Sequence, residues 1–226
     1  MILEKIGDFY KFIEKNSDNE CTNCVFRGVK SVDYALIPSI GRFKTDLSKK
    51  FTTSDEKRML SLFKQKAYPF LNNNSNNLEL LAIAQHHGLP TRLLDWTWNP
   101  LVALYFAVKD EWLKHEEEKD SAVYVWKKNI IGQLQPTFDP FKINNVKLFL
   151  PQHVSKRIIA QSGIFTIHPN PTQAFNNNTI TKVVVKNKLR REIKRRLEQL
   201  GIHQGTMFPD LDGIATYLKW LRTNIH

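Results

Sequence analysis

Between Ala82 and Val108 the chain reads AIAQHHGLPTRLLDWTWNPLVALYFAV, and this stretch limits the fold more than any other. Two apolar runs enclose a short segment with two adjacent histidines, an arginine, an aspartate and two tryptophans. Leu78 to His87 reads as a helix, because Gly88 and then Pro90 supply the usual helix stop. TRLLDW has the length and composition of a short buried strand. Asn99 and Pro100 are a cap and a first-turn proline. Leu101, Leu104, Tyr105, Val108 and Trp112 then recur on one face of a second helix. The predicted order is helix, turn, strand, turn, helix. Burial of both helices carries the polar residues of the strand and its turns to the edge of a cleft.

The rest of the chain alternates in the same way. Ile2, Ile6, Phe9, Tyr10 and Ile13 predict a helix over 2–15. Val25 and Phe26 begin a short strand stopped by Gly28, and Tyr34 to Ile40 is a second extended piece interrupted by Pro38. A helix starts at Ser54 with acids in its first turn. In LNNNSNNLELL the last asparagines can cap the helix that follows. SAVYVWK, Gly163 to His168 and Thr181 to Lys186 read as strands. KHEEEKDSA is a charged loop, and Asn129 to Gln152 has no clear period. Lys188 to Leu200 is helical, with Leu189, Ile193, Leu197 and Leu200 on one face, and Gly201 closes it. A last helix covers 212–222. With no repeat and no Pro- or Gly-rich linker, one mixed α/β domain over 1–226 is the simplest reading.

Of the 226 residues 42% are hydrophobic, enough for one sizeable core. The formal charge is +11, which favours a polyanionic partner such as nucleic acid or leaves an inert basic surface. The basic helix offers Lys188, Arg190, Arg191, Lys194 and Arg195 for a phosphate backbone; few aromatics interleave with them. Cys21 and Cys24 form a C-x-x-C that leads into a strand rather than opening a helix. Two reduced thiols are therefore expected, with neither redox chemistry nor zinc, since no second ligand pair appears. No apolar run reaches the roughly 20 residues that span a bilayer, and no signal peptide is read at the start. A cytoplasmic protein without membrane contact is expected.

Several residues carry chemistry. Phe26-Arg27-Gly28 sets a planar fork of donors beside a bare backbone, a combination suited to an anionic ligand. His86 and His87 end a helix, where its dipole favours a cation and either ring could act as an acid or base. Arg92 and Asp95 lie three apart on the strand, hence on opposite faces, and are not expected to pair. Asp95 suits either a capping role or catalysis. Trp96, Trp98, Tyr105 and Phe106 read as core or as an aromatic wall for a flat ring.

In combination these blocks resemble the FRG domain family. The carriers are Phe26-Arg27-Gly28, the run from Gln85 to Thr97, Asn99-Pro100 with Ala103, Tyr105, Phe106 and Ala107, then Arg157 with Gln161 to Phe165, and Met207 to Gly213. They extend over 26–213. A fainter similarity is to ADP-ribosyltransferases of the Arg–Ser–Glu type. It rests on Phe26-Arg27-Gly28, on Asp95-Trp96-Thr97 leading into Pro100, Ala103, Phe106 and Ala107, and on Gln161-Ser162-Gly163.

That resemblance implies an α+β fold, a bent, split mixed β-sheet flanked by helices, with NAD bound as substrate in its cleft. It implies Arg27, Gly28 and Thr97 as NAD-binding residues, to which Arg92 and Phe106 are added as candidates; Asp95 and Gln161 are the catalytic candidates, with His86 and His87 as a base that the superfamily pattern does not require, and no metal is expected. Arg27 would hold a phosphate and the Gly28 backbone the nicotinamide amide. Thr97 or Asp95 would replace the serine that fixes the ribose. The sequence departs where the catalytic glutamate belongs: Gly163 stands there, with Gln161 two residues before. Either another acid, Asp95 being best placed, stabilises the oxocarbenium ion, or catalysis is lost. The expected function is ADP-ribosyl transfer to nucleic acid or protein, or NAD hydrolysis, with a phage-defence or toxin setting implied by resemblance alone. The alternative is a non-catalytic module that binds nucleic acid or protein, in which His86, Arg92 and Asp95 form a buried network.

Overall fold

The computed structural model describes residues 1–17, 23–42, 52–71, 76–109, 118–127, 138–151 and 155–224. Its strands are β1 (Ile2–Leu3), β2 (Cys24–Val29), β3 (Leu93–Thr97), β4 (Ser121–Lys127), β5 (Lys147–Phe149), β6 (Gly163–Ile167) and β7 (Ile180–Val185). They form one seven-stranded sheet in the order β1-β7-β4-β2-β3-β6-β5. Only β1 and β7 run parallel; the other neighbours are antiparallel. β2 and β4 are paired from Cys24↔Lys127 to Val29↔Ala122, whereas β2 and β3 register only at Phe26↔Thr97. The sheet is therefore mixed, and its two wings part just beyond that pair.

The helices are α1 (Ile6–Ser17), α2 (Ser39–Arg42), α3 (Thr53–Lys66), α4 (Asn77–His86), α5 (Pro100–Val108), α6 (Lys156–Ala160), α7 (Arg190–Gln199), α8 (Gln204–Met207) and α9 (Leu211–Asn224). On one wing α1, α5 and α7 pack Phe9, Phe12, Leu104, Ile193 and Leu197 against Phe26, Val123 and Val185. On the other, α3 and α4 pack Leu60, Leu78 and Leu81 against Leu93, Phe165 and Ile167. The opposite face joins Val25, Val29, Leu94, Trp96 and Trp126, with Leu36 and Phe175 packed against them.

The predicted helix–strand–helix is present, and local chemistry sets its limits. Asn76 Oδ1 accepts from the Leu78 and Glu79 amides at 2.9 and 3.0 Å, so the asparagine run does cap α4. Gly88 takes φ +89°, a left-handed conformation that ends the helix at little steric cost. Asn99 Oδ1 accepts from Leu101 N–H at 2.9 Å, with Pro100 in the first turn of α5. Asp95 takes no part in this cap. Trp112 and the first four residues of KHEEEKDSA, 114–117, lie outside the described residues.

Other expectations need correction. Residues 2–3 form an edge strand ahead of α1, and β2 continues through Gly28 rather than stopping there. Residues 34–38 are not a strand, and the segment without clear period supplies β5. Cys24 is buried and disulfide-bonded, so the reduced thiol expected there is not found; Cys21 lies outside the described residues. Arg190 is wholly buried and donates from Nη2 to the carbonyls of Lys30 (2.7 Å) and Lys119. It ties α7 to the loops beside β2 and β4 and is not available to a phosphate backbone. Lys188, Arg191 and Arg195 are exposed, and Lys194 is half-buried. Among the described residues no helix is long and apolar enough to cross a membrane.

Gly28 faces α5. An ideal Cβ there would lie 1.9 Å from Ala103 O and 2.7 Å from Ala107 N, both backbone atoms. The bare residue lets the helix rest directly on the strand. Gly28→Ala is expected to cost about 3 kcal/mol or to prevent folding, because a helix rather than a side chain must shift. Urea unfolding measures this.

Behind β3, Trp96 Nε1 donates to Thr166 Oγ1 at 2.9 Å, and that hydroxyl lies 2.8 Å from His168 Nε2. His168 is buried, and burial, aided by the charges of Arg27 and Arg92, lowers its pKa to about 4. The unfolded chain binds this proton near pH 6.5 and the folded chain does not. Stability is therefore lost as pH falls from about 6.5 towards 4, by up to about 3 kcal/mol. Thermal unfolding between pH 7 and 5 is expected to show the melting temperature dropping by several degrees. His168→Gln should remove most of that dependence.

Candidate functional site

Arg27 leaves β2 on the Val25–Val29 side and reaches β3 where the wings part. Its Nη1 donates to Asp95 O at 2.6 Å and lies 3.5 Å from Asp95 Oδ2. The pair is asymmetric: the Arg27 side chain is 17% exposed and that of Asp95 61%. Burial lowers the Arg27 pKa, and the Asp95 charge opposes this. The carboxylate is held from its other side by Gln85 at the end of α4, whose Nε2 donates to Asp95 Oδ1 at 2.8 Å. Gln85 Oε1 in turn accepts from the Thr91 hydroxyl, and Thr91 Oγ1 accepts from Leu93 N–H at 3.1 Å. A chain of hydrogen bonds thus runs Thr91–Gln85–Asp95–Arg27 and fixes the acid before any ligand arrives.

This pair borders a hollow of about 240 Å³. Its wall brings together Arg27, Gly28, Asp95, Thr97, Phe106, His86 and Gln161, seven of the nine site residues expected from sequence. Gln85 and Arg157 also line it. Among the described residues two guanidiniums, one carboxylate, two side-chain amides, an imidazole and the Phe106 ring therefore share one concavity that suits an anionic ligand with a flat ring.

His86 closes α4 with its Nδ1 3.5 Å from Ser155 Oγ. Burial lowers its pKa, helped by the charges of Arg157 and His87 and opposed by Asp210, so the neutral ring persists below the usual histidine range. Arg157, from α6, lies over the Phe208 ring at 4.3 Å and feels both Asp95 and Asp210. Burial lowers its pKa as well, against those two acids.

Two of the lining side chains are already engaged. Thr97 Oγ1 donates to Gln161 O at 2.7 Å and accepts from Asn99 N–H at 3.0 Å. Gln161 Nε2 donates to Met207 O at 2.9 Å. Both hold β3, α6 and α8 together at the floor. The next residue, Ser162, has φ +46°, the one non-glycine left-handed backbone among the described residues, and it sits at this floor.

Two expected residues lie elsewhere. His87 is exposed beyond the end of α4 and does not line the hollow. Arg92 points the other way, sealed beneath α3. Its N–H donates to Glu56 Oε1 at 2.9 Å and its Nε to Oε2 at 2.8 Å, with Nη2 2.7 Å from the same oxygen. Both side chains are at most 3% exposed, and the Phe141 ring lies 4.6 Å from the guanidinium. Arg92 is a structural residue. The buried His86–Arg92–Asp95 network of the alternative reading does not form.

Sequence reasoning placed Gln85 and Arg157 in matching blocks without assigning them to the site. A signal existed for Gln85: it sits one helical step before His86 and ten residues before Asp95. Nothing local pointed to Arg157, which reaches the hollow only through tertiary packing. Among the described residues no group of three or more His, Cys, Asp or Glu is placed to hold a metal.

No curated protein and no solved structure matches the chain. Residues 22–117 match the family model of the FRG domain. That span runs from β2 to α5 and holds Arg27, Gln85, His86, Asp95, Thr97 and Phe106, while Arg157 and Gln161 lie beyond it. Over residues 22–117 the chain carries an FRG domain.

Proposed function

We propose that the hollow at the split of the sheet binds NAD and breaks its bond to nicotinamide, transferring ADP-ribose to an acceptor or to water. The observation that carries this reading is the meeting of Arg27 and Asp95, 68 residues apart in sequence, at the wall of one hollow. Arg27 and Arg157 supply the positive charge that a pyrophosphate requires. Phe106 supplies a flat apolar face for the nicotinamide ring.

In the proposed reaction the bond between ribose C1′ and the nicotinamide nitrogen breaks, and nicotinamide departs with the electron pair. Positive charge develops on C1′ and the ring oxygen. The Asp95 carboxylate, held by Gln85, stabilises that charge in place of the glutamate that ADP-ribosyltransferases use. An acceptor N–H or O–H, or water, then attacks C1′, and neutral His86 takes its proton. Asp95 is exposed enough to meet a substrate entering from solvent. The basic surface, with Lys188, Arg191 and Arg195 exposed, supports a nucleic-acid acceptor.

Incubating the purified protein with NAD, alone and with single-stranded DNA, RNA or protein extract, tests the proposal. Free nicotinamide and labelled acceptor are measured by chromatography. Time-dependent nicotinamide release is expected. Its absence under every condition, with binding to nucleic acid or protein intact, would instead support the non-catalytic module.

A further inference from the structure

A second hollow, of about 360 Å³, lies away from the Arg27–Asp95 pair, between α7 and α9. Its chemistry differs from the first. One side is a set of nearly parallel rings. His203 stacks on Tyr217 with centroids 3.9 Å apart and planes 12° apart. Tyr217 and Trp220, one turn apart on α9, are inclined by 14° with centroids 6.4 Å apart. Lys194 projects from α7 with its ammonium 4.2 Å from the Trp220 centroid, and Lys109 and Lys219 also line the space. The one carboxylate on the wall, Glu198, accepts from Tyr217 Oη at 3.2 Å. His203 is the N-cap of α8, and its backbone N–H donates to Thr206 Oγ1 at 3.1 Å.

We infer that this hollow is a second binding site, for an aromatic ring that carries an anionic group, as a nucleotide does. The parallel rings fit a stacked base, and the three ammoniums that line the space fit its phosphate. A small inorganic anion would leave the rings without contact. Burial holds the Lys194 ammonium's pKa at about 8, which a bound phosphate would raise. The site is independent of the proposed reaction.

Calorimetric titration with AMP, adenosine, inorganic phosphate and a short single-stranded oligoadenylate tests the inference. Saturable AMP binding is expected, with adenosine about tenfold weaker and phosphate alone not bound. Trp220→Leu and Lys194→Gln should each weaken AMP about tenfold, Trp220→Phe should restore it, and Arg27→Ala should leave it unchanged. An oligoadenylate that binds more tightly than AMP identifies a nucleic-acid strand as the source of the base; one that binds equally or less tightly identifies the free nucleotide. No saturation at millimolar AMP and oligonucleotide would overturn the inference. So would AMP binding lost in Arg27→Ala but untouched by Trp220→Leu, since the ligand would then occupy the first hollow. Neither result bears on nicotinamide release, so this site and the proposed function stand or fall separately.

Discussion

Arg27→Ala is expected to lower nicotinamide release from NAD by about a hundredfold or more while the protein stays folded. The guanidinium does two things at once. It brings positive charge into a hollow where burial strengthens its attraction for an anionic ligand. It also holds the β3 backbone at Asp95 through a 2.6 Å hydrogen bond. Losing that bond costs about 1–3 kcal/mol of stability, less than a well-packed domain of this size can withstand. Arg27→Lys should not rescue activity, because an ammonium lacks the planar fork that can meet the carbonyl and a ligand together. Asp95→Asn separates the roles further. The amide keeps the shape of the acid and removes its charge, so kcat should fall sharply with KM little changed. Steady-state nicotinamide release, with circular dichroism as the fold control, measures all three.

A second large change in stability is expected on the far side of β3. Glu56→Ala should cost about 3–5 kcal/mol, because it leaves the Arg92 charge sealed in the core without a partner. The two side chains are 3% and 1% exposed, and the carboxylate holds both the Arg92 guanidinium and its backbone N–H, so water cannot replace it. Replacing both residues together, Glu56→Leu with Arg92→Met, should recover much of the loss, since two apolar groups carry no desolvation penalty. Urea unfolding of the single and double variants gives the coupling directly. Substituting Arg92 for its charge alone should impair activity only through the fraction that remains folded.

The two arginines show what the sequence made legible and what it did not. Both sit beside an apolar run and both match a motif. Arg27 keeps its expected place because the chain needs a glycine next to it, where α5 presses on β2, and that pair of residues is visible in sequence. Arg92 is different. Its partner, Glu56, is 36 residues earlier and reads as one of the acids that favour a helix start. Only packing α3 over β3 reveals that this acid faces inward. Arg190 carried a signal that charge counting obscured: it is three residues ahead of Ile193 and seven ahead of Leu197, the buried stripe of α7. The helix–strand–helix around Asp95 was readable because caps, stops and apolar spacing agree there. β5, α6 and α8 were missed, being too short for any period to emerge. Arg157 and Gln161, which close the hollow, lie on or next to α6.

An NMR titration of isotope-labelled protein with NAD most directly tests whether the hollow between the two wings is a ligand site. Saturable shifts confined to the amides of Arg27, Gly28, Gln85, Asp95 and Gln161 are expected. No saturable shift at millimolar NAD, or shifts that leave these five amides unmoved, would contradict it.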